Sequence, residues 1–164
     1  MSPRVILVAP PGVDMEAIAD ELGRLLDLPV RSTDRDVEQR AGATVAEIFV
    51  EMGEPTFREL ERQAVVAALD EHDGVLVLGG GTVMDPLTEA DLAGHTVVFL
   101  DTSIASAARH LGFSAASHVV NPRAQWMRMM EGRRPVYERV ATATVAADDR
   151  TPAEVARAVR DAIS

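Results

Sequence analysis

The chain has 164 residues, of which 47% are hydrophobic and 26% charged, so it is long and apolar enough to bury a core and is not a disordered chain. Its 26 acidic residues outnumber its 16 basic ones, and a net charge of -10 argues against nucleic acid or an anionic membrane as a partner. The chain has no cysteine and all its basic residues are arginine, which excludes chemistry that needs a thiolate or a lysine.

Five short apolar runs predict β-strands; in chain order they are residues 5–8, 28–32, 75–78, 96–100 and 142–145. Nearly continuous apolar strands are typical of a parallel sheet that is covered on both faces. Helical patterns alternate with these runs, which predicts an α/β domain with a doubly wound sheet. Because the first run is too short for a signal core or a membrane span, we expect a cytoplasmic protein.

The segment between the first strand and the first helix lies where a phosphate-binding P-loop would lie. The P-loop pattern requires Gly, four residues, and then Gly-Lys-Ser/Thr, whereas these positions hold Ala9, Asp14, Met15 and Glu16, with Gly12 between them. The three changes at residues 14, 15 and 16 make the loop more negative by three charges than a working P-loop. Asp14 and Glu16 are also typical of ordinary acids at a helix N-terminus. Under both interpretations we expect that this loop binds no nucleotide.

Beyond that loop, the chain resembles the shikimate kinase family over nearly its whole length. The resemblance is carried by Thr33-Asp34 with Glu38, by Ile48-Phe49 and Gly53-Glu54, by residues 57–61, by residues 78–83, and by residues 133–137. It implies a P-loop kinase fold with five parallel strands flanked by helices. It also implies one domain over residues 1–164, a substrate-binding subdomain at about 32–61, and a lid at about 112–123.

The family's shikimate contacts match this sequence well. The resemblance implies that Asp34 binds the hydroxyls and is the candidate catalytic base, and that Arg58 and Arg133 bind the carboxylate. It further implies that Glu61 orients Arg58, and that a glycine turn lies against the ring, formed by Gly79, Gly80 and Gly81. Paired arginines suit a planar carboxylate, and a glycine run lets a ligand approach the backbone. Without the resemblance, these residues are typical of a surface ion pair, a helix-start acid and a turn.

The residues that bind the nucleotide in this family match the sequence poorly. The family uses ATP and magnesium, yet its magnesium-binding acid corresponds to Ser32 and its lid arginine to Ser117. Arg109 and His110 lie where the family places its adenine-stacking side chain, which we interpret as vestigial. The four histidines show no metal-ligand spacing. We therefore expect no cofactor and no metal.

Three functions follow as hypotheses. The first is a pseudokinase that keeps a shikimate-binding pocket, has lost ATP- and magnesium-dependent phosphotransfer, and acts as a sensor or regulator in aromatic amino-acid biosynthesis. The second is an active shikimate kinase with an unorthodox phosphate site. The third is an interaction scaffold that binds no ligand. The expected partners are shikimate or a related small carboxylate, together with a possible protein of the same pathway.

Overall fold

The computed structural model describes residues 2–112 and 121–164. Five parallel strands form one sheet in the order β2-β3-β1-β4-β5, which confirms the predicted fold class. The strands are β1 (Val5–Val8), β2 (Val30–Ser32), β3 (Val75–Val77), β4 (Val97–Asp101) and β5 (Ala143–Ala146). All five predicted strands are present. The bounds of β1 match the prediction, and those of the other strands differ from it by at most two residues, because terminal pairing depends on the neighbouring strand.

Helices cover both faces of the sheet and connect its strands. They are α1 (Met15–Leu26), α2 (Thr33–Ala41), α3 (Val45–Met52), α4 (Glu54–Glu71), α5 (Pro86–Asp91), α6 (Ile104–Leu111), α7 (Pro122–Val140) and α8 (Pro152–Ile163). No helix in the described parts of the chain is both long and apolar enough to cross a membrane. Residues 113–120, the larger part of the predicted lid with Ser117, lie outside the described residues.

The sheet divides the core into two layers because successive side chains of a strand point to opposite faces. Ile6 and Val8 face the layer that contains Val65 of α4 and Tyr137 of α7. The opposite layer holds alternate residues of β1 with apolar residues of α1 and α8: Val5, Leu7, Ile18, Leu22, Val155 and Val159. A third, smaller cluster joins α2, α3 and α4 through Val37, Ile48, Phe57 and Ala64. This small cluster holds the segment predicted as the substrate-binding subdomain.

The parallel strands bring their carboxyl ends to one edge of the sheet. The β1–α1 loop, the start of α2 and the segment after β3 therefore lie next to one another. In open α/β sheets, ligands bind in the crevice at this edge, where the strand order reverses. The fold thus places Asp34 and the glycines after β3 where the sequence predicts a site.

Candidate functional site

The glycine turn at Gly79–Gly81 is the centre of the site. It follows β3 after a single residue, Leu78, and the backbone N–H of Gly79 donates to Thr33 Oγ1 at 3.3 Å. Thr33 is fully buried, and its hydroxyl donates to the carbonyl of Val77 at 3.4 Å. The first residue of α2 is thereby fixed to the end of β3, and the next residue, Asp34, is brought to the turn.

Two carboxylates approach the turn at its first glycine. A Cβ at position 79 would lie 2.6 Å from Asp34 Oδ1 and 3.2 Å from Glu61 Oε2, so any side chain there would displace Asp34. Burial raises the pKa of Asp34 to about 6, with further increases from the charges of Glu61 and Glu38. The positive charge of Arg58 acts in the opposite direction. A carboxylate with this pKa is ionised at neutral pH and can still accept and release a proton.

Two guanidinium groups converge at the other end of the turn. A Cβ at Gly81 would lie 2.8 Å from both terminal nitrogens of Arg58 and 3.1 Å from Arg133 Nη2. Arg58 Nη1 donates to Glu61 Oε1 at 2.9 Å, and the Thr82 hydroxyl donates to Glu61 Oε2 at 3.0 Å. Glu61 is 4% exposed, and a carboxylate this buried needs partners for its charge. Arg58 and Thr82 are those partners, and the same bond from Arg58 holds the guanidinium in a fixed orientation.

Tyr137 fixes the position of α7, and thereby of Arg133, against the turn. The buried Tyr137 hydroxyl donates to the carbonyl of Gly80 at 2.5 Å, and its ring stacks on Phe99 with centroids 4.9 Å apart. Burial raises the pKa of Tyr137, while the neighbouring Arg133 acts to lower it. The phenol is therefore neutral at physiological pH and serves as a hydrogen-bond donor.

Two cavities meet at the glycine turn. One, of about 450 Å³, is lined by Arg58, Glu61, Gly81 and Arg133 among others. The other, of about 380 Å³, is lined by Asp34, Gly79 and Gly80 together with the β1–α1 loop. The site thus offers the guanidinium groups of Arg58 and Arg133 on one side of the turn, and the Asp34 carboxylate, in a cavity that Arg35 also lines, on the other. This polarity fits a small ligand that carries an anionic group at one end and hydroxyl groups at the other.

The β1–α1 loop is held by contacts from three elements. Asp14 is the N-cap of α1, accepting from the Ala17 N–H at 3.4 Å, so its interpretation as a helix-start acid is confirmed. Glu16 also lies in the first turn of α1, and it pairs with Arg35 of α2 at 2.9 Å. Trp126 Nε1 of α7 donates to the carbonyl of Pro11 at 2.8 Å and fixes the proline segment of the loop. Met15 lines the same cavity as Asp34.

A further cavity of about 410 Å³ lies between this loop, α6 and the start of α8, and it is lined by Gly12, Arg109, His110 and Pro152 among others. Gly12 has φ +107°, and a Cβ there would lie 2.6 Å from the Cβ of Ala107, so the loop approaches α6 this closely only with glycine. An arginine and a proline ring offer flat and apolar surfaces to a purine base. The residues present here fit the nucleoside part of a nucleotide.

The structure brings together all seven residues predicted as substrate contacts: Asp34, Arg58, Glu61, Gly79, Gly80, Gly81 and Arg133. Sequence reasoning assigned no role to Thr33, Thr82 or Tyr137, which fix the turn and its carboxylates. It also missed Arg35, whose partner lies 19 residues away in the sequence. Thr33, Thr82 and Tyr137 lie in segments that carry the family resemblance, so the sequence held a usable signal for them, whereas it held none for Arg35.

The raised pKa of Asp34 predicts a pH-dependent stability. Between about pH 4 and pH 6 the native state holds a proton on Asp34 that the unfolded chain releases, so this residue makes the protein less stable as the pH rises. We expect Asp34→Asn to stabilise the protein by about 1–3 kcal/mol more at pH 7 than at pH 4.5. Urea unfolding of both proteins at each pH measures this difference. A difference that is the same at both pH values would contradict the prediction.

Comparison with known proteins identifies what the chain resembles. A family model described as shikimate kinase matches residues 16–164. A shikimate kinase of Streptomyces avermitilis is 48% identical over 163 residues, which covers 98% of this chain and 95% of that protein. A shikimate kinase of Rhodococcus jostii is 41% identical, and the match covers 94% of each chain. The solved shikimate kinase of Acinetobacter baumannii in complex with shikimate has a TM-score of 0.90 at 24% identity, covering 99% of this chain and 93% of that one. At 24% identity, this structural similarity to the Acinetobacter baumannii protein shows the fold alone.

The expectation that this chain uses no cofactor is wrong. Relatives that match it over nearly its full length are named shikimate kinases, and a kinase requires a phosphoryl donor. The charge count behind the expectation considered only three loop residues and omitted the two positive charges of Mg²⁺, which change the electrostatics of a phosphate site. Magnesium is held largely by substrate phosphates with one or two carboxylates. Its binding therefore needs no cluster of three acids or histidines, and the described residues contain none.

Proposed function

Because this chain belongs to the shikimate kinase family, we propose that it phosphorylates shikimate at the glycine turn. The observation that carries the proposal is the convergence of Arg58 and Arg133 on Gly81, with the Asp34 carboxylate at the opposite end of the same turn. Shikimate has a carboxylate on one side of its ring and hydroxyls on the other, so the polarity of the site matches that of the ligand.

Arg58 and Arg133 would bind the shikimate carboxylate. Guanidinium groups bind carboxylates in a bidentate manner, and Glu61 keeps Arg58 in a fixed orientation through the bond of 2.9 Å. The guanidinium of Arg58 also lies over the ring of Phe57, with Cζ 5.4 Å from the ring centroid, and this cation–π contact helps to hold its position. The carboxylate then fixes the ring so that its hydroxyls face Asp34.

Asp34 would act as the general base. ATP, when bound, would supply the terminal phosphoryl group that the hydroxyl oxygen accepts, with ADP as the leaving group. Asp34 removes the proton of that hydroxyl as its oxygen forms the new bond, and a pKa of about 6 leaves this carboxylate ionised at pH 7. Arg109 and Pro152 would hold the nucleoside in the cavity beside the loop.

Thermal unfolding with shikimate alone, Mg-ATP alone, and both together tests the proposal. A ligand at 100 times its Kd stabilises by about 2.7 kcal/mol, which raises the Tm of a domain of this size by about 5–10 °C. We expect an increase in Tm with each ligand, and release of ADP that depends on shikimate when both are present. An increase with shikimate alone, without ADP release, would instead support a protein that binds shikimate and transfers no phosphate. No increase with any ligand would leave the scaffold hypothesis.

A further inference from the structure

We infer that Arg35 binds the phosphates of the nucleotide and supplies the positive charge that the β1–α1 loop lacks. The inference rests on the proposed function, because it assigns one more residue to the same reaction. Residues 9–16 contain no basic side chain, so any cation that meets the phosphates here must come from another element. Phosphoryl transfer depends on neutralising charge on the phosphates, and a side-chain cation here adds to the charge that Mg²⁺ brings.

Arg35 lies at the place where such a cation is needed. It lines the cavity of about 380 Å³ between the loop and the glycine turn, together with Met15, Asp34 and Gly80. Of the described side chains that line this cavity, Arg35 is the one basic group. It follows Asp34 in the first turn of α2, so the general base and the cation reach the cavity from the same rigid helix.

The present partner of Arg35 is a residue that a phosphate can replace. Arg35 Nη2 and Nε both lie near Glu16 Oε1, at 2.9 and 3.1 Å. The side chains are 59% and 64% exposed, and ion pairs this exposed contribute little to stability. A nucleotide carries more negative charge than Glu16 and presents several oxygens to the guanidinium fork, so it competes well for Arg35.

Glu16 then limits nucleotide binding. When it pairs with Arg35, it neutralises the one cation of the cavity and adds its own charge beside the phosphates. Removing the charge of Glu16 should strengthen phosphate binding, whereas removing Arg35 should weaken it. These opposite effects separate a phosphate-binding role from a purely structural ion pair, because breaking a structural pair from either side has the same sign.

Calorimetric titration with ATP and with adenosine tests the inference on the wild type, Arg35→Gln, Arg35→Lys and Glu16→Gln. We expect Arg35→Gln to weaken ATP binding about tenfold, which is the worth of one hydrogen bond between charged groups, and Glu16→Gln to strengthen it. Arg35→Lys should retain part of the affinity. Adenosine should bind all four proteins alike. The matched control is Arg24→Gln, which breaks the exposed pair between Arg24 and Glu21 on α1 and should change nothing.

Two results would overturn the inference. One is an ATP affinity of Arg35→Gln equal to that of the wild type, and the other is a wild type that binds ATP no better than adenosine. The proposed function is tested separately by turnover of the wild type with shikimate. If the wild type turns over and Arg35→Gln binds ATP normally, the inference fails while the proposed function stands. If Arg35→Gln loses ATP binding and the wild type forms no product, the inference stands and the proposed function fails.

Discussion

Replacing Asp34 by asparagine is expected to lower kcat for shikimate phosphorylation by about 100- to 10,000-fold, which is the usual worth of a positioned general base. Asparagine has the same shape and keeps a carbonyl oxygen beside the Gly79 position, so shikimate should still bind. It cannot accept the hydroxyl proton at any accessible pH. The loss should therefore appear in kcat, with a much smaller change in KM for shikimate.

Steady-state kinetics over pH 5 to 8 measure this effect. In the wild type, kcat/KM for shikimate should rise with pH through about 6, because Asp34 of the free enzyme must be ionised to accept the proton. The matched control is Asp36→Asn, which removes a carboxylate two residues away that pairs with Arg31 at 2.7 Å. The control should keep the wild-type kcat and pH profile. A kcat for Asp34→Asn within tenfold of the wild type would contradict the assignment of Asp34 as the base.

The second large effect is expected for Arg133→Gln, which should raise KM for shikimate about 100-fold, as loss of a bidentate bond to a carboxylate implies. Glutamine keeps one donor but loses the charge and the fork. Arg133 is a better choice than Arg58 for this test, because removing Arg58 would leave the buried Glu61 without its cationic partner and destabilise the fold. The same variant should bind Mg-ATP as the wild type does.

Arg128→Gln is the matched control for this prediction, since Arg128 lies on the same helix, α7, and is exposed. It should leave both KM values unchanged. Shikimate esterified at its carboxylate offers a second control, because it lacks the charge that Arg133 binds. The wild type should bind the ester at least as weakly as Arg133→Gln binds shikimate, because the ester also lacks the charge that Arg58 binds. Equal KM values of the wild type and Arg133→Gln for shikimate would show that the carboxylate lies elsewhere.

The strands and the substrate side of the site were predictable because their signals are local. Each apolar run is bounded by turn residues, and Thr33-Asp34 and the glycine run lie directly after strands. Parallel topology then brings these segments to one edge of the sheet without further information. The N-cap role of Asp14 was predictable for the same reason, since it depends only on residues 14–17.

The contacts that complete the site were not predictable, because they join residues that are distant in sequence. The bond from Tyr137 to the carbonyl of Gly80 spans 57 residues, and the pair of Arg35 with Glu16 spans 19. The charge of the loop, together with Ser32 and Ser117 at the positions of the family's magnesium-binding acid and lid arginine, led to the wrong expectation about cofactors. A count along the sequence includes neither an arginine that approaches from α2 nor the charge that magnesium brings.

The most direct test of shikimate phosphorylation is ³¹P nuclear magnetic resonance of the purified protein with shikimate and Mg-ATP. Phosphoryl transfer predicts a new phosphomonoester resonance that grows as the terminal phosphate signal of ATP declines and that of ADP appears. The resonance should be absent without shikimate and strongly reduced with Asp34→Asn. An unchanged ATP spectrum, in a sample where shikimate raises the Tm of the protein, would contradict the account and leave a protein that binds shikimate without phosphorylating it.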